Sequence, residues 1–120
     1  AARSNRAMDR RLLGRLGEKE ALRFLRKSGY RVRATNVRTP CGEIDIIAQH
    51  RREIVFVEVK TRSGPAYGSP SESVTSRKLS HLCRAAGIWM QENRYAGPYR
   101  FEVLSIVWGE NPSCEIVPVE

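Results

Sequence analysis

Four ionisable residues interrupt the apolar runs of the segment CGEIDIIAQHRREIVFVEVKTR, which spans residues 41–62. These residues are Glu43, Asp45, Glu58 and Lys60. Carboxylates are preferred ligands of Mg²⁺, and a nearby lysine can orient or deprotonate a metal-bound water. Hydrolysis of a phosphodiester needs a metal, an activated water and neutralisation of developing charge. The residue types therefore predict metal-dependent phosphodiester chemistry, provided that the fold brings them together.

The two halves of this segment are predicted to form a β-hairpin with its turn centred between Arg51 and Arg52. Side chains alternate across a strand, so residues equally far from the turn oppose each other and share a face. A shift by one residue would mix charged and apolar residues in every pair, so this register is favoured. It predicts one apolar face made of Ile44, Ile46, Ala48, Val55, Val57 and Val59.

The same register puts Asp45 opposite Glu58 and Glu43 opposite Lys60, at the end of the hairpin away from the turn. Opposed carboxylates about 5 Å apart repel each other, and a divalent cation between them would remove that repulsion. The alternative is a half-exposed hairpin whose polar face meets water, with Glu43 and Lys60 as a surface ion pair. The flanking apolar runs argue for burial, but spacing alone leaves both interpretations open.

Helices and further strands must bury this hairpin. Apolar residues at spacings of three and four predict amphipathic helices at residues 9–28 and 75–94, and Ser28-Gly29 is a C-cap signal for the first. Further strands are predicted at 30–37, 99–108 and 115–119, with a breaker-rich loop at 63–70. The order α-β-β-β-α-β-β predicts a mixed sheet flanked by helices, in the α/β (α+β) class.

The composition indicates one globular domain over residues 1–120, because the hydrophobic fraction is 41% and no segment is of low complexity. No apolar run approaches the length of a membrane span. The three cysteines form no CxxC pair, which argues against a disulfide framework or zinc site and suits a reducing cytoplasm. His50 and His81 lie far apart, and are predicted to be a turn residue and a helix-surface residue.

The net charge of +8 is unevenly distributed along the chain. Residues 1–40 contain 12 of the 21 Lys and Arg residues but only 3 of the 13 Asp and Glu residues. We expect residues 1–8 to be a flexible basic segment. Such asymmetry points to a polyanionic partner, with nucleic acid first and an acidic membrane surface second, unless the basic face is merely solvated.

Several stretches of the chain carry a family resemblance. They are GEKEALRFL in the first helix, GEIDII, FVEVKTR, and the YGSP loop followed by SVTSR and Lys78. In this order and spacing they resemble the bacterial YraN family, which is similar to the restriction-endonuclease-like PD-(D/E)xK nucleases, including archaeal Holliday junction resolvases. The resemblance extends from about Gly14 to Val107. Its motifs are specific for the family and less specific for an activity.

The resemblance implies a restriction-endonuclease-like mixed sheet and a site that binds Mg²⁺ or Mn²⁺. It matches Asp45 to the motif aspartate, and Glu58 and Lys60 to the acid and lysine of the ExK motif. Glu18 matches a helical glutamate that completes the metal site in some of these nucleases. Glu20 competes with Glu18 for that role by its position on the helix.

Supporting residues follow from the same comparison. Glu43, within GEID, would bind metal through water or pair with Lys60. Lys78 would contact phosphate from the start of the second helix, although a solvated lysine is an equally simple interpretation. We expect nucleic acid to contact Arg11, Arg15, Arg62 and Lys78.

Two departures from the patterns leave every predicted metal-binding acid in position. Ile44 replaces the proline that precedes the aspartate in the superfamily, and Glu102 replaces an aspartate in the family's RFD motif. The favoured hypothesis is thus a metal-dependent endonuclease acting on DNA, including branched DNA, for which a homodimer would make two symmetric cuts. The alternatives are a nucleic-acid-binding accessory protein with this fold and little turnover, and a module whose basic helix meets an acidic partner or membrane.

Overall fold

The computed structural model describes residues 10–63 and 76–119. In chain order its elements are α1 Arg10–Lys27, β1 Arg31–Thr39, β2 Gly42–His50, β3 Glu53–Ser63, α2 Ser76–Glu92, β4 Tyr99–Trp108 and β5 Ser113–Val119. The predicted order α-β-β-β-α-β-β and the mixed α/β architecture are confirmed. The predicted flexible segment 1–8, and the predicted loop from residue 64 onwards, lie outside the described residues.

The five strands form one mixed sheet in the order β1-β2-β3-β4-β5. β1, β2 and β3 are successive antiparallel neighbours, β4 runs parallel to β3, and β5 is antiparallel to β4. A parallel pair needs a crossover connection, and α2 lies in the chain between β3 and β4. Both helices of the described residues pack against this sheet.

Two apolar clusters, one on each face of the sheet, form the core. Helix α1 packs Ala21 and Leu25 onto a face that contributes Ile46, Ala48, Val55, Val57, Leu104 and Ile106. Helix α2 packs onto the opposite face in a cluster of Ile44, Ile47, Ile54, Phe56, Leu82, Ala85, Ala86 and Trp89. Successive strand residues point to opposite faces, so the uninterrupted apolar runs of β2 and β3 are explained by a helix on each side.

The predicted register of the hairpin is confirmed from its turn to the pair Ile46–Val57. Beyond that pair the prediction for Ile44 is wrong, because Ile44 packs with Ile47 under α2 rather than beside Ile46. The β2–β3 ladder ends there, and Asn36 on β1 adopts a positive φ of 50°. At these irregularities the side chains of β2 switch from one face of the sheet to the other, and Asp45 lies at the switch.

Each helix ends in a left-handed residue. Gly29, with φ 90°, closes α1, and the Tyr30 amide donates to the Leu25 carbonyl at 2.9 Å, as the Ser28-Gly29 signal predicted. Helix α2 ends earlier than predicted, at Glu92. There Arg94 takes the left-handed conformation and the Tyr95 amide donates to the Met90 carbonyl at 2.8 Å. Arginine pays a steric penalty in this conformation that glycine avoids, so the sequence carries little indication of this end.

A partly buried polar network lies on the α1 side near the β2–β3 turn, and we call Tyr30, His50, Glu53, Arg100 and Glu102 the Arg100 network. The Arg100 guanidinium lies 2.7 Å from Glu53 and 3.1 Å from Glu102. The Tyr30 hydroxyl donates to Glu102 at 2.8 Å, and its ring stacks on His50 with centroids 4.2 Å apart. The network joins the end of α1 to the hairpin turn and to β4.

No helix in residues 10–63 or 76–119 has both the length and the apolar character needed to cross a membrane.

Candidate active site

Asp45 lies where β2 separates from β3. Its carboxylate accepts a hydrogen bond of 2.8 Å from the Val59 amide, in place of a continued backbone ladder. The side chain therefore turns toward β3 at the level of Glu58, Val59 and Lys60. This is the end of the hairpin at which the sequence predicted that the charged residues gather.

Glu58 is one of the few buried charged residues, with 8% of its surface exposed. Its carboxylate lies 2.7 Å from the ammonium of Lys78, which reaches across from the first turn of α2. We call Asp45, Glu58, Lys60 and Lys78 the acid–lysine cluster. Two antiparallel strands and a helix remote in sequence contribute to it.

The carboxyl group of Asp45 is held in an unfavourable environment for a negative charge. Burial and the nearby charge of Glu58 raise the pKa of Asp45 to about 7 from its ordinary value of 3.8, against the opposing hydrogen bond from Val59. Glu18 and Glu43 add smaller effects in the same direction. The charges of three other carboxylates thus contribute to the raised pKa of Asp45 at this end of the sheet.

The two lysines of the cluster also perturb each other. The adjacent Lys78 lowers the pKa of Lys60 below its ordinary value, and partial burial acts in the same direction. Burial tends to lower the pKa of Lys78 as well, but its hydrogen bonds with Glu58 and Lys60 raise it overall. Lys60 is therefore the lysine better suited to accept a proton, and Lys78 the one that stays charged.

Helix α1 approaches β3 closely enough to bring Glu18 to this region. A Cβ added to Gly17 would lie 2.0 Å from the Thr61 hydroxyl oxygen, so only glycine permits this approach. Glu18 lines a cavity together with Asp45, whereas Glu20 pairs with Arg23 elsewhere on the helix. Of the two candidates left open by the sequence, Glu18 is the one on the site side.

Two adjoining cavities meet at the cluster. The larger, of about 820 Å³, lies on the α1 side and includes Glu18 and Lys60 in its lining. The smaller, of about 250 Å³, lies on the α2 side and includes Glu58 and Lys78. Glu43 and Asp45 line both cavities, so the acids stand at their junction. Glu43 also lies 3.7 Å from Arg38 on β1.

Of the arginines expected to contact nucleic acid, Arg11 and Arg15 line the larger cavity. Arg62 is half-buried, and its Nε and Nη2 atoms are shielded from solvent. The predicted contact between Arg62 and nucleic acid stays a prediction.

Three ionisable residues that line these cavities were not predicted as site residues from the sequence. Arg10 and Arg38 line the larger one, and both belong to the basic first third of the chain, where only their number was informative. His81 lies exposed on the surface of α2, as predicted, and it lines the smaller cavity beside Lys78, a position for which we predicted no role. The three-residue spacing of Lys78 and His81 on a helix could have indicated a shared face.

Within residues 10–63 and 76–119, no three Asp, Glu, His or Cys side chains form a metal-binding group. The three-acid set of Glu18, Asp45 and Glu58 is thus not drawn together as direct ligands. Asp45 and Glu58 remain as a pair. Mg²⁺ binds through one or two carboxylates and keeps several waters, so this pair still fits such an ion.

The fold and the site together define a class of small mixed-sheet α/β protein, with acids and lysines clustered at one end of a central hairpin. Residues 17–106 match the model of a family described as "Uncharacterised protein family UPF0102". The chain belongs to this family, which is the YraN family that the sequence motifs resemble. The matched region contains every residue of the acid–lysine cluster.

Curated relatives from distant bacteria support the assignment. A UPF0102 protein of Desulfosudis oleivorans is 45% identical over 90% of this chain and 88% of its own. A UPF0102 protein of Caldicellulosiruptor saccharolyticus is 44% identical over 82% of this chain and 85% of its own. The UPF0102 protein STH1475 of Symbiobacterium thermophilum is 47% identical, over 80% and 82%. The similarity thus extends over most of each chain.

Proposed function

We propose that this protein hydrolyses phosphodiester bonds in DNA with Mg²⁺ or Mn²⁺, and that the acid–lysine cluster is its active site. One observation carries the proposal: the Asp45 carboxylate, which accepts a hydrogen bond of 2.8 Å from the Val59 amide, lines the same small cavity as the buried carboxylate of Glu58. The charge of Glu58 is one of the causes that raise the pKa of Asp45 to about 7. Holding two carboxyl groups together has an energetic cost that a divalent cation would remove. The similarity of the YraN motifs to those of PD-(D/E)xK nucleases supports the same assignment.

Asp45 and Glu58 are the residues that would hold the metal. When bound there, the ion would polarise the scissile phosphate and lower the pKa of a coordinated water. Glu18 and Glu43 would act from the cavity walls through hydrogen bonds to coordinated waters, since with Asp45 they line the larger cavity. This arrangement needs no third direct ligand.

The lysines have separate roles in the proposed reaction. Lys60, with its lowered pKa, orients the attacking water and takes up its proton. Lys78 stays protonated and contacts a non-bridging oxygen of the phosphate. Both groups stand beside Glu58, so they act on the same phosphate.

Nucleic acid fits the charges that surround the cluster. Arg10, Arg11, Arg15 and Arg38 line the larger cavity next to the acids and supply a cationic path for a phosphate backbone. Clustered acids without a metal would repel that backbone, so a purely DNA-binding role gives them no purpose. We include branched DNA among the substrates, acted on by a homodimer that makes two symmetric cuts.

The second candidate is an accessory protein that binds nucleic acid with little or no turnover. It is favoured by the ion pair between Lys78 and Glu58, which neutralises that carboxylate within the protein itself. The lack of a three-ligand metal group in the described parts of the chain also fits this alternative. Both candidates keep the basic cavity as the nucleic-acid surface.

A cleavage assay distinguishes the two candidates. Labelled duplex, single-stranded and four-way-junction DNA, with an RNA duplex for comparison, would be incubated with Mg²⁺, with Mn²⁺ or with EDTA. We expect metal-dependent cleavage that Asp45→Asn and Lys60→Met each reduce at least about 100-fold. Glu92→Gln, a change at an exposed acid at the end of α2, serves as the matched control and should retain the parent rate. If all four proteins bind DNA with the same salt dependence but none cleaves above background, the accessory role is correct.

A further inference from the structure

The contact between Lys78 and Glu58 joins two parts of the site that differ in exposure. The Glu58 side chain is 10% exposed and belongs to the central hairpin, whereas that of Lys78 is 40% exposed and begins on α2. A lysine carries a point charge on a flexible four-carbon stem with three donors, so it can change partners without a change in the backbone. Lys78 is thus a movable cation held on a fixed, buried carboxylate.

We propose that Lys78 couples metal binding to DNA binding by exchanging partners. Its ammonium pairs with Glu58 until a divalent cation binds at Asp45 and Glu58, and it then moves to a phosphate of the bound strand. This inference rests on the proposed nuclease function and adds a form of regulation to the same site.

Electrostatics requires the exchange if the metal binds where we propose. A divalent ion coordinated by Glu58 would stand within a few ångströms of an ammonium that now lies 2.7 Å from the Glu58 carboxylate. Two cations at that separation repel strongly in a partly buried site. Lys60 adds a third positive group close by, as its effect on Lys78 shows. The Lys78 ammonium is paired with the carboxylate that the metal would take, and its side chain is 40% exposed, so it is the group that moves.

The smaller cavity gives the released ammonium a place to act. It is lined by Lys78 together with Asp45 and Glu58, and also by the exposed residues Gly42 and His81. A phosphate in this space would be adjacent to the proposed metal ligands. The ammonium can therefore exchange a carboxylate for a phosphate within the reach of its own side chain.

The exchange makes a thermodynamic prediction that needs no turnover. If metal frees Lys78 for the phosphate, metal must raise the affinity for DNA, and DNA must raise the affinity for metal by the same factor. Removing the ammonium eliminates the part of this coupling that Lys78 carries and leaves the part that comes from neutralising the acids. It also eliminates a competitor for Glu58, so the DNA-free protein should bind metal more tightly.

The first test measures Mn²⁺ binding to the DNA-free protein by titration calorimetry. We expect Lys78→Met to bind Mn²⁺ about tenfold more tightly than the parent, because no ammonium competes for Glu58. Arg77→Met is the matched control, since Arg77 is an exposed cation one residue earlier on the same helix. Lys78→Gln repeats the test with a polar side chain, and Lys78→Arg, which keeps the charge, should resemble the parent.

The second test measures DNA affinity by fluorescence anisotropy, with Ca²⁺ as a probe because it takes the same oxygen ligands. Ca²⁺ should raise the DNA affinity of the parent and of Arg77→Met several-fold. The corresponding increase for Lys78→Met and Lys78→Gln should be smaller than that of Arg77→Met, since the transferable ammonium is gone and only the neutralisation of the acids remains.

Two results would overturn the inference in distinguishable ways. Equal Mn²⁺ affinities for Lys78→Met, Lys78→Gln and Arg77→Met would refute the exchange and leave the metal site in place. If the parent shows no Mn²⁺ binding beyond the level of Asp45→Asn, the proposed nuclease function fails together with the inference.

Discussion

Glu58 and Glu102 are buried on neighbouring strands of the same sheet, with 8% and 7% of their surfaces exposed, yet their surroundings differ. Glu102 accepts a hydrogen bond from the Tyr30 hydroxyl at 2.8 Å and another from Arg100 at 3.1 Å. Glu58 has Lys78 as a partner, but it also stands close enough to Asp45 to raise the pKa of that residue. Both oxygens of the Glu102 carboxylate are thus hydrogen-bonded, whereas the Glu58 carboxylate stands beside a second acid, Asp45.

This difference in surroundings distinguishes the Arg100 network, which stabilises the fold, from the acid–lysine cluster, which is the candidate active site. A buried charge is tolerated when hydrogen bonds and opposite charges replace its lost water, as in the Arg100 network. The acid–lysine cluster instead keeps two carboxyl groups together at a cost in stability. Such local conflicts in an otherwise consistent fold occur mainly at functional sites, where binding a ligand relieves them.

The largest expected effect is the loss of DNA cleavage in Glu58→Gln, which is compared with the same substitution at Glu102. Glu58→Gln should reduce metal-dependent DNA cleavage at least about 1000-fold while changing stability little, since it removes both an ion pair and a repulsion. Glu102→Gln should keep the specific activity but lower the free energy of unfolding by about 2 kcal/mol, since an amide donor would face Arg100. Cleavage rates and urea unfolding of both variants measure the two effects. Equal losses of activity for the two, at equal folded fractions, would contradict the division of roles.

The next effect concerns the centre of the Arg100 network. Arg100→Met would leave Glu102 and Glu53 without their shared cation and should lower the free energy of unfolding by about 3 kcal/mol. Urea unfolding gives the value, and Arg94→Met, a change at an exposed arginine, is the control. A loss below about 1 kcal/mol would mean that the network contributes little to stability.

The sequence predicted the element order and the hairpin register because both depend on periodicity. Alternation along residues 44–59 favours one pairing, and a shift by one residue would bury charge. The reversal of face at Asp45 was not predictable, since it accompanies a positive φ at Asn36 on another strand. A local pattern of apolar residues carries no information about such a conformation.

The candidate site was predictable only in its hairpin part. Asp45, Glu58 and Lys60 lie within a segment of sixteen residues, so strand geometry alone relates them. The position of the Lys78 ammonium depends on how α2 packs against β2, and only the tertiary structure shows its contact with Glu58. The Arg100 network was missed for the same reason, because its hydrogen bonds join residues up to 72 positions apart.

A smaller effect follows from the raised pKa of Asp45. Between pH 4 and pH 7 the folded protein keeps a proton on Asp45 that the unfolded chain releases, so the free energy of unfolding falls as the pH rises through this window. The loss attributable to Asp45 should be on the order of 2 kcal/mol and should be absent in Asp45→Asn. Urea unfolding in EDTA at pH 4.5 and pH 7.5 measures it.

Unfolding in Mg²⁺ instead of EDTA is the control for the pH dependence of stability. At pH 7.5, millimolar Mg²⁺ should restore part of the lost stability of the parent, because it binds the folded state. Asp45→Asn should gain less. A parent and variant with the same pH dependence in EDTA would show that Asp45 has an ordinary environment, and the contrast between the two buried acids would then lose its physical basis.

The smallest expected effect concerns His81, which lines the smaller cavity but not the larger one. A histidine at the rim of the smaller cavity would contact substrate beyond the scissile phosphate, so His81→Ala should lower kcat/KM for DNA about fivefold, mainly through KM. Steady-state cleavage measures this change. Cys83→Ala, an exposed position two residues further along α2, is the control. An unchanged KM in His81→Ala would contradict the contact with substrate and assign His81 to packing beside Gly42.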